Sequence, residues 1–146
     1  MNNKLKLVAL AFTPFIIGNI FSFLLVKPFL GMVLSLAFLA FWFWVGFVSY
    51  KLVKSPLVSV LLGNCFGILS ILILAVSGIF LKSYPNGILG YQLQMYFLAA
   101  IKLPSALLQL ILRNISGNLI FIFAFIIMLV VYYIGFLVGR KKQPAY

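Results

Sequence analysis

The chain of 146 residues contains no Asp, no Glu and no His, and it has a single cysteine. Zinc, calcium and di-iron sites need several carboxylate, imidazole or thiolate ligands, so the side chains of this protein cannot build one. A Ser-His-Asp triad and a paired-carboxylate glycosidase site are excluded for the same reason. A proton relay through Asp, Glu or His inside a membrane is excluded as well. We expect no cofactor, and we interpret Cys65 as a buried structural thiol.

Charged residues are scarce too: they make up 8% of the chain, whereas 66% is hydrophobic and the mean hydropathy is +1.27. The surface of a soluble domain needs roughly 25–35% charged residues. Long apolar runs separated by one or two lysines therefore predict an all-α integral membrane protein that forms a single membrane domain, residues 1–146.

All eleven charged residues are Lys or Arg, and most of them lie at the ends of apolar runs. This placement is typical of helix anchors and topology signals rather than of a nucleic-acid-binding surface. We therefore expect the cations to face a lipid bilayer that contains anionic lipids, and we expect no nucleic acid as a partner.

The apolar runs predict four transmembrane helices, at about 7–26, 29–50, 57–81 and 118–139. Pro14 is expected to kink the first helix, because proline removes a backbone donor. Small residues recur every four positions in three of the spans, a pattern typical of faces where membrane helices pack closely. The candidate helix-packing residues are Pro14, Gly18, Ser22, Ser59, Gly63, Gly67, Gly135 and Gly139.

The stretch between the third and fourth spans, about 88–116, carries more polar residues than the spans do. From Lys102 onward these residues are spaced by three or four positions, which places them on one face of a helix. This candidate polar face consists of Lys102, Ser105, Gln109, Arg113 and Ser116. The pattern predicts an amphipathic helix in the membrane interface, a re-entrant segment, or a helix that lines a polar cavity.

The distribution of cations decides between four spans and five, since the stretch 88–112 is long enough to cross. With four spans, one side holds seven cations and the other four; with five spans, each side holds five and Lys102 lies inside the membrane. The positive-inside rule favours the asymmetric distribution. A mid-span lysine costs roughly 2.5–3.5 kcal/mol on insertion scales, with no Asp or Glu to pair with it. The seven are Lys4, Lys6, Lys51, Lys54, Arg140, Lys141 and Lys142, and the four are Lys27, Lys82, Lys102 and Arg113.

We accordingly predict four spans with both termini in the cytoplasm. Abundant Phe, Ile, Leu, Lys and Asn residues are what an AT-rich bacterial genome produces. The expected location is therefore the cytoplasmic membrane of a bacterial cell.

The residues available for catalysis are few. A Ser-Lys dyad is chemically possible, because a desolvated lysine can act as a base, and Lys102 and Ser105 are suitably spaced on a helix. Such pairs arise often by chance, so we expect no enzyme.

Two functional classes remain. The first is a non-catalytic accessory or structural subunit of a membrane complex, and the second is a small oligomeric permease or channel for a neutral or anionic solute. The expected protein partner is accordingly another membrane protein or a second copy of the chain.

Overall fold

The computed structural model describes residues 2–24, 28–80, 88–112 and 116–142. Of these, 91% are helical and none is in a β-strand, which confirms the all-α prediction. The cations Lys27, Lys82 and Arg113 lie outside the described residues. The helices of the described part are α1 (Asn3–Ala11), α2 (Thr13–Leu24), α3 (Pro28–Leu52), α4 (Pro56–Gly63), α5 (Cys65–Phe80), α6 (Ile88–Leu98), α7 (Lys102–Ile111) and α8 (Gly117–Lys142).

Three of the described helical segments are long and apolar enough to cross a membrane, as in a membrane protein. They are Asn3–Phe23, Phe29–Leu52 and Gly117–Lys142. Two further pairs of helices are bent, α4 with α5 by 61° and α6 with α7 by 82°, so that the number of candidate spans is three to five. The predicted third span, 57–81, is thus interrupted where a continuous helix was expected.

Two of the helix interruptions have local causes. Pro14 has no N–H to donate to the carbonyl of Leu10, and the hydroxyl of Thr13 donates to that carbonyl instead, at 2.6 Å. The interruption between α4 and α5 falls on Asn64, whose side-chain amide donates to the carbonyl of Val60 at 3.1 Å. Asparagine side chains compete in this way with the helical backbone ladder.

The helices α3 and α8 form the most extensive packing contact, and they run in the same direction. A Cβ atom on Gly135 would meet the carbonyl of Phe43, and one on Gly139 would meet the carbonyl of Phe47. From the first contact to the second, the position on α8 moves four residues toward its C-terminus and the position on α3 does the same. The two helices are therefore parallel. The two backbones approach closely because glycine has no side chain.

The other contacts fix the direction of the remaining helices. Gln92 and Tyr96 of α6 contact Asn19 and Phe15 of α2, so α6 is antiparallel to α2. The α4–α5 pair is antiparallel to α8, because Ser59 bonds to Tyr132 whereas Gly67, further along, lies against Phe125.

The start of the chain packs beside α4. The rings of Phe12 and Phe66 contact each other, and α1 lies along α4, so the two helices run the same way. The start of α1, the end of α3, the start of α4 and the end of α8 therefore share one end of the bundle. Seven of the described cations lie at that end: Lys4, Lys6, Lys51, Lys54, Arg140, Lys141 and Lys142.

The interior of the bundle is largely aromatic. The largest of its fully buried side chains belong to α3, α6 and α8: Trp42, Tyr96, Phe97, Tyr132 and Phe136. The outer surface is apolar as well, with Phe23, Phe29 and Leu110 more than four-fifths exposed, at 81%, 82% and 84%. A surface of this kind is suited to contact with lipid rather than with water.

Candidate functional site

The predicted polar face is divided between two helices. Lys102, Ser105 and Gln109 lie on α7, whereas Ser116 lies beyond its end and starts α8, where its hydroxyl and carbonyl oxygens both accept the N–H of Leu119. Arg113 lies outside the described residues. The structure therefore brings together three of the five predicted residues.

These three residues lie at the surface of the bundle. Lys102 and Ser105 are partly exposed and Gln109 is exposed, and the amide of Gln109 donates to the hydroxyl of Ser105 at 3.3 Å. A second side of α7 buries Pro104 and Leu108 against the core.

A third side of α7 is apolar and exposed. Leu107, Leu110 and Ile111 point away from the bundle, with Leu110 and Ile111 at least three-quarters exposed. The helix thus has one side that packs on the core, one polar side and one exposed apolar side. This amphipathic character is typical of an interfacial segment.

A buried serine joins the two sides of the break between α6 and α7. The hydroxyl of Ser35 on α3 donates to the carbonyl of Ala100 at 2.7 Å and accepts the N–H of Leu103 at 3.3 Å. Leu103 is in the first turn of α7, where backbone donors have no partner within the helix. Ser35 thus supplies from another helix the hydrogen bonds that the break would otherwise lack.

A second buried polar cluster lies between α3, α4 and α8. The hydroxyl of Ser59 bonds to that of Ser49 at 3.2 Å and to that of Tyr132 at 3.0 Å. Tyr132 also donates to the carbonyl of Ser59 at 3.1 Å. The side chain of Tyr132 lies directly against Gly63, so a side chain at position 63 would collide with it.

Three buried side-chain polar atoms lack a hydrogen-bond partner among the described residues, and two of them lie within one turn of a helix break. The side-chain oxygen of Asn64 and the hydroxyl of Tyr96 have no hydrogen-bond partner among the described residues, and neither has the indole N–H of Trp42. Gly67, one turn after Asn64, lies against the ring of Tyr96, so the break in the α4–α5 pair faces α6. Unpaired buried groups of this kind are rare in proteins.

The predicted packing residues occupy four kinds of position. Gly18, Gly135 and Gly139 lie against the backbone of a neighbouring helix, and Gly63 and Gly67 lie against aromatic rings. Pro14 and Ser59 are buried. Ser22 is partly buried and its hydroxyl donates within its own helix, to the carbonyl of Asn19 at 2.6 Å.

Sequence reasoning missed Ser35 and Tyr96. The only signal for Ser35 is an isolated hydroxyl in an apolar run, a residue that needs some partner inside a membrane. Its actual partners, Ala100 and Leu103, lie 65 and 68 residues further along the chain, which periodicity does not reveal.

The described polar residues can donate and accept hydrogen bonds but have no carboxylate or imidazole beside them to act as a base. No known family matches the chain, and no curated protein or solved structure is detectably similar to it.

Proposed function

We propose that this protein is a non-catalytic accessory or structural subunit of a membrane complex, with four spans, a re-entrant segment formed by α6 and α7, and both termini in the cytoplasm. The location that fits this proposal is the cytoplasmic membrane of a bacterium. One observation carries the functional part: large aromatic side chains fill the middle of the bundle. A solute path through a single copy would have to run where Trp42, Tyr96 and Tyr132 are packed.

The parallel pairing of α3 and α8 supports four spans. Because the second span and the last run in the same direction, the chain between them has to cross the membrane an odd number of times. One crossing by the α4–α5 pair, and none by the α6–α7 pair, meets this condition. Three or five spans would make α3 and α8 antiparallel.

The lengths of α6 and α7 support a re-entrant path. Their 11 and 10 residues extend about 16 and 15 Å, roughly half of a hydrocarbon core about 30 Å thick. The break between them is held by Ser35, about 10 Å along α3 from its start. Since α6 and α8 run in the same direction, a re-entrant path requires the chain to return, between these two helices, to the side from which α6 entered.

The collection of seven cations at one end of the bundle supports a cytoplasmic position for that end, by the positive-inside rule. Lys102 starts α7 beside the break, about 10 Å inside the bundle from the opposite end, and it is partly exposed. Its long side chain can extend toward the interface and keep its charge hydrated.

Thiol labelling tests this topology. In a Cys65→Ala background, Gln109→Cys is expected to react with a membrane-impermeant maleimide added to intact cells. Lys54→Cys and Lys142→Cys are expected to react only after the membrane is permeabilised. Labelling of Lys142→Cys in intact cells would contradict four spans with cytoplasmic termini.

Native mass spectrometry in a mild detergent tests the accessory function. A photo-cross-linking residue is placed at one exposed apolar position on each of four helices: Ile20, Leu36, Leu72 and Val130. We expect a foreign membrane protein to co-purify at a fixed stoichiometry. We also expect cross-links to that protein from some of these four positions but not from all of them. A monomer that cross-links only to lipid would rule out the accessory function.

A second candidate function is an oligomeric permease or channel for a neutral or anionic solute. The observation in its favour is that Gly67, one turn after the first break, contacts Tyr96, one turn before the second, and that the side-chain oxygens of Asn64 and Tyr96 have no hydrogen-bond partner among the described residues. Discontinuous helices with polar groups at mid-depth are typical of transport sites. The same purification distinguishes it: a homo-oligomer whose liposomes conduct glycerol or chloride, less so after Lys102→Ala but not after Lys4→Ala, would support the permease and displace the accessory function.

A further inference from the structure

A groove runs along the last two turns of α8 on the outside of the bundle. Its volume is about 460 Å³, and its lining residues are Ile134, Leu137, Val138, Arg140 and Lys141. The three apolar residues come first along the helix and the two cations follow. The groove therefore changes from apolar to positive at the end of the bundle where the other terminal cations lie.

The cations of this groove have no acidic side chain in the chain to pair with. The chain contains no Asp or Glu, so Arg140 and Lys141 cannot be neutralised by a carboxylate side chain of the same copy. Their position in the last turn of α8 is favourable because the end of a helix carries partial negative charge. That partial charge does not replace a counter-ion, and both side chains are exposed.

The occupant that matches this arrangement is a phospholipid. The distance from Ile134 to Lys141 along the helix is about 10 Å, so the apolar part of the groove lies within the membrane and the cations lie near its boundary. This is the depth order of an acyl chain and a headgroup phosphate. Arginine binds phosphate through two parallel hydrogen bonds, and an adjacent lysine adds a point charge.

We propose that this groove binds one anionic phospholipid, with an acyl chain against Ile134, Leu137 and Val138 and the phosphate between Arg140 and Lys141. An anionic headgroup is preferred over a zwitterionic one, because the choline or ethanolamine ammonium of the latter would be repelled by the same cations. The lipid lies beside α8 at the end of the bundle and serves as the counter-ion that the chain lacks.

Lipid binding to the intact protein in a mild detergent tests the proposal. Native mass spectrometry counts bound lipids during titration with phosphatidylglycerol or with phosphatidylcholine of the same acyl chains. We expect one phosphatidylglycerol to bind preferentially, and we expect the double variant Arg140→Gln, Lys141→Gln to bind it about tenfold more weakly or worse. The double variant Lys4→Gln, Lys6→Gln removes the same charge from the same end of the bundle and is expected to leave this affinity unchanged.

A second variant tests the apolar part of the groove without altering charge. Leu137→Asn places an amide where the acyl chain is proposed to lie and is expected to weaken phosphatidylglycerol binding, while the elution volume of the protein stays constant. Equal binding of the two lipids would overturn the proposal. An equal loss in both charge variants would overturn it too, because binding would then follow net charge and not this groove.

Discussion

Gly135→Leu is expected to lower the free energy of unfolding in detergent by about 3 kcal/mol. The first atom of the new side chain would already meet the carbonyl of Phe43, which belongs to the backbone of α3 and cannot rotate away. The two helices would have to separate, and the packing beside the contact would be lost along both of them. The measurement is loss of helicity by circular dichroism during titration with a denaturing detergent.

Ala40→Leu is the matched control, because it introduces the same leucine side chain on α3 at an exposed position. We expect it to change stability by less than about 0.5 kcal/mol. Gly139→Leu is expected to behave like Gly135→Leu, since its backbone neighbour is the carbonyl of Phe47. Equal stability of Gly135→Leu and Ala40→Leu would contradict the close parallel pairing of α3 and α8.

Ser35→Ala is expected to destabilise the break between α6 and α7 by about 2–4 kcal/mol. The substitution leaves two backbone groups, the carbonyl of Ala100 and the N–H of Leu103, without the hydroxyl that now bonds both. Ser35 is 1% exposed, so water cannot easily replace it. We expect hydrogen exchange at the Leu103 amide to accelerate by at least tenfold, while exchange in α8 stays close to that of the unaltered protein.

Ser77→Ala serves as the control for this substitution. Ser77 is also buried, but its hydroxyl donates to the carbonyl of Ile73 within the same helix, where the backbone ladder already satisfies that carbonyl. Its loss is expected to cost less than about 1 kcal/mol and to leave the Leu103 amide unaffected. If the Leu103 amide exchanges at the same rate in both serine variants, the hydrogen bonds of Ser35 do not stabilise the break between α6 and α7.

The all-helical fold could be predicted because composition alone excludes a water-exposed surface, and the apolar runs define where helices lie. The break at Asn64 could not be predicted from the sequence. A single asparagine in an apolar run is compatible with a straight helix, and Gly63 and Gly67, which flank the break, pack against Tyr132 and Tyr96 from distant parts of the chain. The glycine patterns indicated close packing without telling which helix or ring would be the partner.

Only the part of the candidate polar face that lies on α7 could be predicted from the sequence. Lys102, Ser105 and Gln109 keep the expected spacing on that helix. The prediction that Ser116 belongs with them assumed that the helix continues, whereas α7 ends at Ile111 and Ser116 contributes to the start of α8. Turn positions inside a hydrophobic segment depend on tertiary contacts such as that of Ser35, which local periodicity does not contain.

The pairing of α3 with α8 also bears on how the protein is made. The residues that meet, Phe43 and Gly135, are separated by roughly 90 positions in the chain. At 5–20 residues per second, a ribosome needs on the order of 5–20 s to synthesise the interval between them. During that time α3 has to be accommodated without α8, and its Gly46 surface faces lipid or the insertion machinery until α8 has been made.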